Sequence, residues 1–112
     1  MQSAWIKEFS AAVTVCSKDG IIIEMNNKSA AAFANDGGYN LIGKNLFDCH
    51  SQSSIEKIKE LISGNKTNIY TIEKNGVKKL IYQAPFIENG EFKGLVEVSF
   101  EIPFDLPHFI RQ

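Results

Sequence analysis

The residues of this chain best equipped for chemistry stand together in "NLFDCHSQSS", residues 45–54, where Asp48, Cys49 and His50 are consecutive. Carboxylate, thiolate and imidazole make a mixed donor set suited to zinc or another late transition metal, and His108 would complete the site if the C-terminal tail folds back. The same pair could offer an axial ligand to haem, although the Cys-x-x-Cys-His attachment motif is absent. Adjacent ligands are less usual than a spacing of roughly two to four residues. The simpler role is structural, with Cys49 packed as a small apolar residue and His50 hydrogen-bonded at a helix entrance. Neighbours on an extended backbone point to opposite sides, so adjacency does not make a thiol and its base a catalytic pair. The chain is therefore expected to be no enzyme.

Bulk properties narrow the partners. The 112 residues, 44% of them hydrophobic, suffice for one domain with one core. Lysine plus arginine (12) nearly cancels aspartate plus glutamate (13), so no broad positive field exists to hold nucleic acid or an anionic membrane surface. No apolar run approaches the ~20 residues of a membrane-spanning helix, and the start "MQSAWIKEFS" lacks the basic-then-apolar order of a signal peptide. A cytoplasmic protein with Cys16 and Cys49 as free thiols is the expectation.

Several short elements must position these residues. Asp19-Gly20, Asn75-Gly76 and Asn89-Gly90 supply positive φ for tight turns and predict three hairpins. The strands they join are Ala12–Ser17 with 21–25, then 67–73, 77–86 and 92–102. The last alternates best, with Val96, Val98, Phe100 and Ile102 on one face against Glu97, Ser99 and Glu101, and reads as a half-buried antiparallel strand. Asn26 or Asn27 caps a short helix over 28–34, followed by Gly37-Gly38. Ser53 and Glu56 have capping-box spacing ahead of an amphipathic helix bearing Ile55, Ile58 and Ile62 and closed by Gly64. Trp5, Ile6 and Phe9 form an apolar stripe on a leading helix, which packs on its own domain or meets a second copy. The sum is an α+β domain with a five-stranded antiparallel sheet, short helices on one face and an N-terminal flanking helix. The early hairpin must share the sheet, because two strands alone are marginally stable.

In this order, "VTVCSKDGIIIEMNNKSAAAFA", "LIGKNLFD" and "EFKGLVEVSFEIP" resemble a PAS domain, the small sensor fold of bacterial signalling, over residues 11–103. Residues 1–10 then form the flanking helix and 104–112 a C-terminal tail. "DCHSQSS", "KLIYQAPF" and "PHFIR" are similar to short stand-alone bacterial PAS proteins with a Cys-His pair in this loop. The resemblance implies a cavity between the sheet and the helices, where many members hold a flavin, a haem or a small metabolite. Other members hold nothing and act as dimerising or protein-binding modules. It also makes Asn45, Tyr70, Tyr82 and Gln83 the candidates to orient a ligand, with at most one of Tyr82 and Gln83 pointing inward on a regular strand.

The flavin photosensor branch carries Gly-x-Asn-Cys-Arg-Phe-Leu-Gln; Gly43 and Asn45 match it, but Leu46 replaces the reactive cysteine. Alignment on Pro85 and Gly94 puts Lys79 and Val96 where that branch uses asparagine and glutamine, and valine cannot supply the missing hydrogen bond, so flavin is disfavoured. Haem-binding members usually take their histidine from the long helix, and residues 55–63 contain none. The expected function is a sensory domain that binds a small molecule or a signalling partner and transmits that state through homodimer contacts at Trp5, Ile6 and Phe9. A haem- or transition-metal-binding PAS protein built on Cys49, His50 and His108 is one alternative, and a ligand-free dimerisation module the other. The cofactor stays open.

Overall fold

The computed structural model describes residues 4–48 and 51–112. Strands β1 (Ala12–Ser17), β2 (Ile22–Met25), β3 (Asn68–Lys74), β4 (Val77–Glu88) and β5 (Glu91–Ile102) form one antiparallel sheet in the order β2-β1-β5-β4-β3. The first strand thus pairs with the last, and the early hairpin and the later meander share one sheet as expected. Helix α1 (Ala4–Lys7) leads into β1. Helix α2 (Asn27–Ala32), 3₁₀ turns at Ala34–Asp36, Gly38–Leu41 and Leu46–Asp48, and helix α3 (Gln52–Gly64) connect β2 to β3. Ile58, Leu61 and Ile62 of α3 pack on Cys16 of β1 and Leu95 of β5, and a second cluster joins Ile22, Met25 and Leu41.

The turn dipeptides work by two routes. Asn75 and Asn89 take φ of 54° and 53°, each followed by a glycine at 78°, so both central residues are left-handed, as a two-residue type I′ hairpin requires. At the first turn Gly20 is left-handed and its N–H donates to the Ser17 carbonyl at 3.0 Å, which closes a three-residue loop.

Two bulges then decide which side chains face the helices. In β2, Ile23 is the extra residue between the pairs Val15–Glu24 and Cys16–Ile22, so Ile22 and Met25 both turn into the core. In β5, Lys93 is extra between Ile87–Phe92 and Phe86–Gly94. Counted from the Asn89-Gly90 turn alone, Gln83 would oppose Val96; the bulge puts Glu97 there instead. The alternation of β5 is present, but its apolar row of Val96, Val98, Phe100 and Ile102 lies on the sheet face away from α3. Gly94 permits the close crossing of β1 and β5, since a Cβ there would lie 1.9 Å from the Cys16 carbonyl oxygen.

Element ends depart from expectation for local reasons. Helix α3 begins earlier than the Ser53–Glu56 capping box predicts, because Ser51 is its N-cap and accepts from the Ser54 N–H at 3.4 Å. Asn65, left-handed at φ 52°, ends it rather than Gly64. Leu61, not Ile55, completes its buried stripe. Helix α1 stops at Lys7, so Phe9 lies beyond it: the Asn26 amide holds the Ile6 and Ala11 carbonyls and turns the chain into β1. Residues 103–112 form neither helix nor strand and are exposed.

Candidate functional site

One level of the sheet carries a polar row. The pairs Asn68–Gln83, Gln83–Glu97 and Glu97–Thr14 align four side chains across β3, β4, β5 and β1 on the face toward α3. Asn68 Nδ2 donates to Gln83 Oε1 at 3.0 Å, and Gln83 Nε2 donates to Glu97 Oε2 at 2.8 Å. Gln83 is only 8% exposed, and bonding at both ends of its amide makes that burial tolerable. Thr14 Oγ1 shares a hydrogen bond with Ser29 Oγ of α2, which ties the row to the helical layer.

This row forms one wall of a cavity of about 310 Å³. That is near the lower end of the ~300–1,000 Å³ found for small-molecule sites. The rest of the lining is largely apolar, with Ile22 and Met25 beside the row on β2 and Phe33, Leu41, Leu46 and Ile58 from the segment between β2 and β3, so residues of both core clusters meet around the space. Asp36, Lys57 and Ser54 complete the polar lining along with Tyr70. Burial pushes the Cys16 thiol from 9.0 up to about 11, with Glu97 adding to the rise and a backbone hydrogen bond at Leu95 opposing it. Burial and then the Glu97 charge raise the Tyr70 hydroxyl as well. Cys16 is thus held as an unreactive thiol in the wall.

The arrangement depends on Asn26, which is fully buried at the N-cap of α2. Its Oδ1 accepts from Val13 N–H at 2.9 Å and Ser29 N–H at 3.0 Å, while its Nδ2 donates to Ile6 O at 3.0 Å and Ala11 O at 2.8 Å. One side chain therefore fixes α1, β1 and α2 against each other.

Tyr70 and Gln83, named from sequence as ligand contacts, line the cavity. Tyr82 is on the opposite face and 39% exposed, as strand alternation demands of a neighbour of Gln83. Asn45 is not in the lining; its Oδ1 accepts from Phe47 N–H at 2.9 Å and its backbone bridges Ile21, so it buttresses the first turn. Val96 faces away, which corrects its placement at a flavin-contacting position, and Lys79 is outside the lining. Cys49 and His50 lie outside the described residues. Asp48 is exposed at the end of a 3₁₀ turn and His108 is exposed in the tail. Among the described residues no group of three or more His, Cys, Asp or Glu is placed to hold a metal, and no helix is long and apolar enough to cross a membrane. Trp5 and Phe9 are 64% and 45% exposed and meet edge-to-face at 5.4 Å, while Ile6 is half-buried.

Sequence reasoning missed Asn68, Glu97 and Thr14. The Asn75-Gly76 turn already sets Asn68 opposite Gln83, a usable signal. Glu97 was hidden by the Lys93 bulge, which no turn residue announces.

No family profile and no curated protein matches the chain. Solved structures do. The PAS domain of histidine kinase ThkA superposes with a TM-score of 0.65 at 20% identity, over 80% of this chain and 96% of that one. The PAS domain of an HTR-like protein from Haloarcula marismortui gives 0.64 at 17% identity, over 88% and 87%. The Aer2 receptor of Vibrio cholerae, described as a dual PAS-haem oxygen sensor, gives 0.61 at 13%, over 83% and 95%. With its β2-β1-β5-β4-β3 sheet, its helices on one face and these superpositions, the chain folds as a PAS domain.

Proposed function

We propose that this PAS domain is a sensory module of signal transduction, which binds a small molecule between the sheet and α3 and reports occupancy through its apolar outer surface. The supporting observation is the cavity of about 310 Å³ that sets the hydrogen-bonded Asn68–Gln83–Glu97 row against an apolar wall. Such a site can bury a ligand's body and orient its polar end. The outer face carries Ile69, Tyr82 and Phe100 at 57%, 39% and 37% exposure, and Trp5 and Phe9 are exposed as well. A second copy or a signalling partner seated on these residues would receive the signal. Ligand shifts that assembly only by its difference in affinity for the two arrangements of sheet and flanking helix.

The test is native against denaturing mass spectrometry of the purified chain, followed by melting-temperature measurements with a metabolite library. Retained organic mass, or a compound that raises the melting temperature in the parent but not in Gln83→Leu, supports the reading. A protein that is empty and stabilised by no compound refutes it in favour of the ligand-free dimerisation module. Excess mass of a metal or haem, lost on Cys49→Ser and His50→Ala, assigns the site to that pair instead.

A further inference from the structure

We infer that the cavity selects a small organic cation, an amine, amidine, guanidine or protonated nitrogen heterocycle on a compact apolar body, with Glu97 as the residue that receives the cationic head. The inference rests on the sensory reading above and adds the chemical class of its ligand.

Direction in the hydrogen-bond row is the first ground. Asn68 donates to Gln83 and Gln83 donates to Glu97, so the chain of donors ends on the carboxylate. The row is a brace that holds one acceptor group in place, and the Glu97 Oε2 it occupies leaves Oε1 for another donor.

Charge is the second. Among the described residues no lysine or arginine pairs with Glu97; the ion pairs there are Lys57–Glu60 and Lys93–Glu88. The charged groups of the lining are Glu97, Asp36 and Lys57, and the ammonium of Lys57 is 3.7 Å from Glu60 Oε1, a carboxylate outside the lining. The two carboxylates outnumber the one ammonium, so the lining carries net negative charge; burial first, and the Glu97 charge after it, raise the Tyr70 and Cys16 values. A ligand that fills the cavity strips water from Glu97. An anionic head would be repelled and would leave Glu97 Oε1 without a donor, and a neutral donor would return only an uncharged hydrogen bond, whereas an N–H-bearing cation replaces the lost water with a charge-assisted one. Rejection of anions is thus as much a part of the selectivity as attraction of cations.

Shape is the third. Phe33, Leu41, Leu46 and Ile58 of the connecting helices and turns, with Ile22 and Met25 beside the row on β2, offer only dispersion contacts, so the body must be apolar and the charge confined to one end.

Benzamidine, benzamide and benzoate share one aryl body and differ in the charge of the head, and so form a matched probe series. Each would be titrated into the full chain, with binding read from the backbone amide NMR shifts of Tyr70, Gln83 and Leu95. Benzamidine is expected to bind at least about tenfold more tightly than benzoate and benzamide, and Glu97→Gln, which keeps an acceptor for Gln83, should erase that preference. Equal affinities, or a preference for benzoate, would overturn the assignment on the parent chain alone, whether or not the variant folds. Probes that shift the cavity signals without regard to charge would remove the cation inference and leave the pocket reading intact. If no probe of any charge moves them, both fail.

Discussion

Asn26 shows how much a single buried side chain can carry. It has no exposed surface and bonds two N–H groups and two carbonyls from three separate stretches of chain. Asn26→Ala would remove the cap and strand those partners, so urea denaturation should show a loss of about 3–5 kcal/mol. A loss below about 1 kcal/mol would mean that water or other groups replace the amide. Sequence had Asn26 as a candidate cap and nothing more, because the Ile6 and Ala11 carbonyls reach it only once β1 and β2 have paired. Cys16 gives a prediction of another kind. Its folded value of about 11 against 9.0 means that the native state holds the thiol proton more tightly than the unfolded chain. The resulting stability is whole below pH 9 and is lost as pH rises toward 11. In a Cys49→Ser background, urea midpoints should fall more steeply across that window than in the same protein with Cys16→Ala. Parallel slopes would show that burial does not set the thiol.

At the level of elements, helix α3 and the β1–β5 pairing hold the sheet to its cover. Leu61 is 2% exposed in the cluster beneath α3, and Leu61→Ala should cost about 2–5 kcal/mol in chemical denaturation. Gly94→Ala is the sharper probe, since the new Cβ would meet the Cys16 backbone at 1.9 Å and the central pair of strands would have to part. A loss of about 3 kcal/mol or more is expected, with the thermal melt broadened; an unchanged melt would show that β1 and β5 can separate freely there. The existence of these elements was legible from turn dipeptides and helical spacing, while their ends were not. Ser51 and Ser53 both precede the apolar run and each can cap; the choice falls on the one whose helix brings Ile58, Leu61 and Ile62 onto Cys16 and Leu95.

For the whole molecule, the outward aromatics are where a second copy is expected. Trp5→Glu combined with Phe9→Ser should shift sedimentation toward the monomer with little change in melting temperature, because both side chains are exposed. An unaltered assembly would place the contact elsewhere on the outer sheet face. The division between local and long-range causes is clearest at β4 and β5. Turn chemistry is local: Asn-Gly needs only its own φ angles, so five strands, their antiparallel sense and the helical interlude were fixed by short stretches of chain. Which face of β5 meets the cavity is not local. Side chains alternate with a period of two, so the one extra residue at Lys93 moves Glu97 to the inside and the apolar row of Val96, Val98 and Phe100 to the outside. That bulge is accommodated where Gly94 lets β5 press against β1, a contact between residues far apart in the chain. The amino-acid order therefore dictated a PAS-like frame, and the packing of its ends against each other dictated the polar row, with Glu97 in it, that lines the cavity.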